Sequence, residues 1–279
     1  MKYTPVKLYR RFRYRKGHGV HSPFAYNFIT GIIEEKSPYY IFEDIEKLRS
    51  ELLEDNTIVE FISPKGVVKR KTVAEITAKE AHSDKYGALL FRIVNFFQSK
   101  SILQIGASTG IMTLYMAAPC KDCQCYVIED RKALIPIIKA SCQKFNQSNV
   151  HIISGEYMES LTNLQNEKEC FDMVFLNTSR NPELTQQILD KQIKTRLLVV
   201  DNIRKNKKMK AVWQTITSNP QARITIDLYY LGIALFENKF YKKNYKAHFD
   251  NGTGTQEKQN LYKNRRQRLN FFSWRKKDR

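Results

Sequence analysis

Acidic residues are scarce in this chain: 28 Asp and Glu stand against 47 Lys and Arg, for a formal net charge of +19 over 279 residues. Cysteine is sparse and odd in number, with five residues at 120, 123, 125, 142 and 170. Such a set does not make a disulfide framework and points to a reducing cytoplasm. Cys120-x-x-Cys123-x-Cys125 opens like a zinc site, but no second ligand pair at finger spacing follows, and Cys125 begins a strand pattern. No stretch approaches the ~20 apolar residues of a membrane span. Met1 to Lys16 is too polar for a secretory signal. No RNA-binding module signature occurs either.

What remains is a chain that is 42% apolar and 12% aromatic, enough for a sizeable core in one large domain with appendages. The positive charge sits at the ends. Residues 1–21 carry seven Lys/Arg and no acid, and residues 250–279 carry nine against three acids, so the middle is only mildly basic. These ends are either solvated tails or arms for RNA, DNA or anionic lipid.

Ser101 to Gly110 organises the rest. The apolar run Ile102 to Ile105 ends in Gly106-Ala107-Ser108-Thr109-Gly110, and an apolar helical pattern begins at Ile111. This predicts a buried parallel strand, a tight turn and a helix start whose free N–H groups face a ligand. A second strand, Cys125 to Glu129, ends in acid about one βαβ unit later. A carboxylate there suits the two hydroxyls of a ribose, Glu129 first and Asp130 as the fallback; alternatively either acid caps the next helix.

Before this unit, Tyr3 to Arg15 reads as a basic amphipathic helix. Ser22-Pro23 is an N-cap followed by proline at the first helical position, opening a helix through Phe24, Phe28, Ile29, Ile32 and Ile33. His18 and His21 precede it as metal ligands, bases, substrate contacts or local hydrogen-bonding groups. Tyr39 to Glu54 is helical, Ile58 to Ile62 extended, and Ser63-Pro64-Lys65-Gly66 a turn. Thr72 caps Val73 to Ala81, and Gly87 to Phe97 is an apolar helix. Residues 1–97 therefore read as a helical cap, 98–249 as the α/β domain and 250–279 as a basic tail, disordered in isolation.

From Ser101 onward, strands fall at 101–105, 125–129, 150–154, 171–176, 196–200, 223–228 and 232–237, with helices in the gaps. The pattern predicts an α/β, doubly wound, seven-stranded, mostly parallel sheet. The last two strands are separated by three residues, too few for a parallel crossover, so one of them runs antiparallel.

These features resemble a class I S-adenosylmethionine-dependent methyltransferase of Rossmann-like fold. Phe171-Asp-Met-Val-Phe-Leu-Asn177 and Leu198-Val-Val-Asp201-Asn202 resemble the catechol and caffeoyl-CoA O-methyltransferase group. His18-Gly-Val-His21-Ser-Pro-Phe24 and Thr225-Ile-Asp-Leu228 resemble a methyltransferase-like family of the Bacteroidetes. The resemblance implies that Gly106, Ala107, Ser108 and Gly110 line the methionine end of S-adenosylmethionine, that Glu129 holds its ribose, and that Glu156 stands near the adenine amino group. Asn177 would lie close to the methyl donor, and Asp201-Asn202 matches a pair that holds magnesium in the catechol group.

Three positions depart from that pattern. Gln104 replaces an acid that helps anchor the donor's amino acid moiety. Asn177 replaces a metal-binding Asp, and Arg180 replaces a Lys base, which arginine cannot imitate at neutral pH. The metal-assisted mechanism is thus not supported, and Asp201 is either the base or a helix cap. The expected activity is methylation of an oxygen on a small-molecule acceptor. RNA methylation through the basic ends, or ligand binding without chemistry, are the alternatives.

Overall fold

The computed structural model describes residues 5–63, 66–178 and 181–250. Pro64, Lys65, Arg180 and the tail beyond Asp250 lie outside the described residues, so the expectations placed on them are not addressed by it.

The N-terminal part holds α1 (Pro5–Arg13), α2 (Pro23–Phe28) continuing into a π-helical turn at Ile29–Ile33, and α3 (Tyr40–Glu54). A hairpin follows, β1 (Ile58–Ile62) and β2 (Val68–Thr72), then α4 (Val73–Glu80) and α5 (Asp84–Phe97). The caps are those the sequence prescribes. The Ser22 hydroxyl accepts from the Ala25 N–H, and Thr72 and Glu75 form a reciprocal capping box at α4.

The α/β unit runs β3 (Ser101–Ile105), α6 (Ile111–Ala117), β4 (Gln124–Glu129), α7 (Ile135–Lys144), β5 (Val150–Ser154) and α8 (Tyr157–Glu167). It continues through β6 (Cys170–Leu176), α9 (Pro182–Asp190), β7 (Lys194–Val200) and α10 (Lys207–Ser218) to β8 (Ile224–Asp227), β9 (Gly232–Leu235) and β10 (Lys243–Lys246). The sheet order is β10-β8-β9-β7-β6-β3-β4-β5, and β9 alone runs antiparallel to its neighbours.

Strand alternation sorts the core into two layers. Ile102, Val127, Met173, Phe175 and Val199 face one side, with Phe28, Ile45, Ile76, Leu90 and Met116. Leu103, Ile105, Ile128, Val174 and Val200 face the other, with Leu161, Ile188 and Trp213. The N-terminal helices therefore share the first core layer with the sheet.

The sheet has eight strands rather than the seven expected, because Lys243–Lys246 pairs in parallel with β8 at the edge. The segment Ile58–Ile62, expected to be extended, is a strand, and it pairs antiparallel with Val68–Thr72, which the sequence did not signal. The two unexpected strands, Val68–Thr72 and Lys243–Lys246, are polar and mostly exposed, so an apolar periodicity does not reveal them.

The chain leaves β3 for β4 and β5 on one side and then returns to place β6 on the other. The C-terminal ends of β3 and β6 thus flank the switch point, where open α/β sheets take their ligands.

Candidate functional site

The turn after β3 is built tightly. Gly106 has φ +86°, and a Cβ there would sit 2.9 Å from the Asn177 carbonyl oxygen. Both the left-handed backbone and the close approach require glycine. Gly106→Ala is expected to destabilise the fold by about 2 kcal/mol or more, the sum of backbone strain and displacement of β6. Urea denaturation measures this, and a change within experimental error would contradict the geometry.

Gln104 is fully buried on the apolar layer. Its Nε2 donates to the Gly106 carbonyl at 3.2 Å, and its Oε1 accepts from the Thr113 hydroxyl at 2.7 Å. An ionised acid cannot make the first of these bonds, so the amide at this position ties strand, turn and α6 together. The Gly106 carbonyl also accepts from Asn177 Nδ2 at 3.2 Å.

Glu129, also fully buried, reaches across from β4 to this turn. Its Oε2 accepts the N–H groups of Ala107 at 2.9 Å and Ser108 at 2.8 Å. The same carboxylate is held by Arg131, with Nε 2.7 Å from Oε1 and Nη2 3.1 Å from Oε2. Arg131 Nη1 in turn donates to Glu80 Oε2, at the end of α4, at 2.8 Å. Burial pulls the Arg131 pKa down, but the charges of Glu129 and Glu80 outweigh it and raise it. Burial, then the charge of Glu129, pushes the neighbouring Asp130 up to about 6.

Helix α4 covers the turn. The Thr77 hydroxyl lies 3.4 Å from that of Thr109, and Ala107, Ser108 and Thr109 are all buried. The Ser108 Oγ is buried with no hydrogen-bond partner among the described residues. A polar atom orphaned beside the glycine turn and an acid within reach of it fit a polar ligand there, although Arg131 already occupies the acid.

Immediately after α4, His82 enters the same region from a side that the sequence did not signal. Its Nε2 is 3.1 Å from Asp201 Oδ1, at the end of β7, an ion-pair contact, and Asn177 is a second polar neighbour of the ring. Burial alone would lower the His82 pKa, but the Asp201 charge and the bonds to Asp201 and Asn177 raise it above the ordinary value. Asp201 Oδ2 accepts from Asn202 Nδ2 at 2.7 Å. The two candidate catalytic residues, Asn177 and Asp201, thus meet at one histidine, 119 positions upstream of Asp201.

The implied magnesium does not fit these donors. Both oxygens of Asp201, the one carboxylate of the set, are already engaged, Oδ1 by His82 and Oδ2 by Asn202 Nδ2. Among the described residues no group of three or more His, Cys, Asp or Glu side chains is arranged to hold a metal ion. The Cys120–Cys125 segment is instead fastened by Asn149 Nδ2, which donates to the carbonyls of Ala117, Cys120 and Cys123.

Other sequence candidates do not join this cluster. Glu156 is exposed and caps α8, accepting from the Glu159 N–H at 2.8 Å. His18 and His21 are exposed, and His18 Nδ1 lies 2.8 Å from Arg13 Nη1, a local contact.

Comparison with known proteins agrees with this architecture. A family profile described as O-methyltransferase matches residues 63–227, which include His82, Gly106, Glu129, Asn177 and Asp201. The chain is 29% identical over 133 residues to the "Probable cobalt-precorrin-6B C(15)-methyltransferase (decarboxylating)" of Methanocaldococcus jannaschii, covering 48% of this chain and 62% of that protein. It spans less than two thirds of that relative. A candidate O-methyltransferase from Klebsiella pneumoniae superposes with TM-score 0.51 at 15% identity, covering 77% of this chain and 97% of the other. The cofactor-bound protein Rv0187 from MTB superposes with TM-score 0.50 at 15% identity, covering 71% and 90%. These similarities in structure concern the fold, whereas the profile spans more than half of the sequence. The chain belongs to the O-methyltransferase family.

Proposed function

We propose that this chain is an S-adenosylmethionine-dependent methyltransferase that methylates a hydroxyl of a small acceptor, with His82 as general base. The observation that carries the reading is the meeting of His82, Asn177 and Asp201 beside Gly106, at the ligand-binding edge of the sheet.

When bound, S-adenosylmethionine supplies an electrophilic methyl group. Gly106, Ala107, Ser108 and Gly110 would cradle the donor's methionine end, the orphaned Ser108 hydroxyl offering it a polar contact. Glu129 would take the ribose hydroxyls once Arg131 withdraws, and Glu156, exposed at the start of α8, would meet the adenine amino group. Asn177 positions the ring of His82. Neutral His82 accepts the acceptor's proton, and Asp201 stabilises the imidazolium that results. Displacement of methyl from a sulfonium is otherwise a matter of alignment, which the rigid strand ends provide.

Five cysteines, all free, suit the reducing cytoplasm as the place of work. Among the described residues no helix is long and apolar enough to cross a membrane.

A panel of hydroxyl-bearing acceptors, incubated with methyl-labelled donor, tests the reaction. Transfer to oxygen that is lost in Asp201→Asn is expected. Transfer confined to nitrogen, carbon or RNA would overturn the oxygen assignment. The bidentate grip of Arg131 on Glu129 favours a second reading, in which the fold binds a partner without chemistry. In that case no acceptor is labelled.

A further inference from the structure

Helix α1 is amphipathic, but it faces the wrong way for a helix of an ordinary core. Arg10 points inward and is only 6% exposed. Its Nη2 donates to Asp227 Oδ1 at 3.2 Å and to the Ala247 carbonyl at 3.0 Å, which ties the helix to the end of β8 and the segment after β10. At 100° per residue, Leu8 and Phe12 lie about 160° around the helix from Arg10. They point to solvent with Tyr9: Phe12 is 77% exposed, Tyr9 58% and Leu8 44%. A soluble protein normally buries such a stripe.

The flanks of this stripe are cationic. Arg11, Arg15, Lys16 and His18 line, with Phe12, an open cavity of about 500 Å³ beside the helix. Residues 1–21 contain no acid, and the nearby Glu34 is taken up by the Lys16 N–H at 2.7 Å. Exposed aromatic and aliphatic side chains bordered by arginine and lysine match an anionic bilayer surface, where rings sit at the headgroup level and cations meet phosphates. A second copy of the chain would bring the same cations face to face, and an RNA would leave the aliphatic stripe in water.

We propose that α1 and the loop through His18 dock this protein onto an anionic phospholipid surface. Leu8, Tyr9 and Phe12 enter the headgroup boundary, and Arg11, Arg15 and Lys16 engage phosphates in and around the cavity. The Arg10–Asp227 contact holds the helix in the outward orientation. This inference is independent of the methyl-transfer reading.

Co-sedimentation of the full chain with vesicles tests it. Mixed phosphatidylcholine–phosphatidylglycerol vesicles should bind the protein in a salt-dependent manner, and phosphatidylcholine alone should not. Each cation near the surface is worth about fivefold in partitioning, so Arg11→Gln/Arg15→Gln/Lys16→Gln together should weaken binding about 100-fold. Leu8→Ser/Phe12→Ser, both at exposed positions, should weaken it at least about tenfold with an unchanged melting temperature. Hydrogen exchange on vesicles should show protection across residues 5–16. Equal binding to both vesicle types would overturn the proposal. So would wild-type binding by the Leu8/Phe12 variant, protection confined to 251–279, or self-association through α1 that vesicles do not compete away.

Discussion

His82→Ala is expected to lower the turnover number for methyl transfer by about 10²–10⁴, the usual worth of a positioned general base. Donor affinity should change little, because the glycine turn and Glu129 do not touch the ring. The pH dependence separates this role from a structural one. The charge of Asp201 and the bonds to Asp201 and Asn177 hold the folded pKa of His82 above 6.5 despite burial. As a base the ring must be neutral, so activity should rise with pH through a midpoint above 6.5. Stability should run the other way. A raised folded pKa contributes stability in full below about 6.5, and that contribution is lost as pH rises through the folded value. Rate profiles and urea midpoints across the same pH range should therefore show opposing slopes in the wild type, and both should flatten in His82→Ala. A turnover number unchanged in the variant would remove His82 from the chemistry.

Glu129→Ala is expected to destabilise the protein by about 3–5 kcal/mol, the loss seen when one partner of a buried ion pair is deleted. The substitution strips Arg131 of its closest counter-ion and leaves the Ala107 and Ser108 amides without their acceptor. Glu80 keeps a hold on Arg131, which places the expected loss at the lower end of that range. Urea unfolding measures it. Glu129→Gln keeps an acceptor for the amides while weakening the grip of Arg131, so its loss should be the smaller of the two. A Glu129→Ala protein as stable as the wild type would mean that the carboxylate does not hold the turn together.

Much of the sheet was legible in the sequence. Strands β3 to β9 are apolar and evenly spaced, and the three residues between the last two required an antiparallel partner, which β9 provides. The turn at Gly106 was likewise readable from local pattern, whereas Glu129 was read as a ribose ligand or a helix cap and not as the acceptor of the turn's own amides. The edge strand β10 was not, because Lys-Asn-Tyr-Lys buries only Tyr245. Nor was His82. It sits in a short Ala-His-Ser-Asp connection with no periodicity, and only the folded chain brings it to Asp201. The return of Arg131 onto Glu129 escaped for a different reason. A cation two residues beyond an acid reads as surface charge until its side chain is seen buried between Glu129 and Glu80.

That ion pair gives the account its sharpest test. If the crevice at Gly106 is a donor site closed by Arg131 and α4, the donor must compete with Arg131 for Glu129. Arg131→Ala should then bind S-adenosylmethionine more tightly than the wild type, and Glu129→Gln should bind it more weakly than either. Titration calorimetry of the three proteins with S-adenosylmethionine is the direct measurement. Saturable heat in the wild type that follows this order is the predicted result. No heat from any of the three at millimolar donor would contradict it.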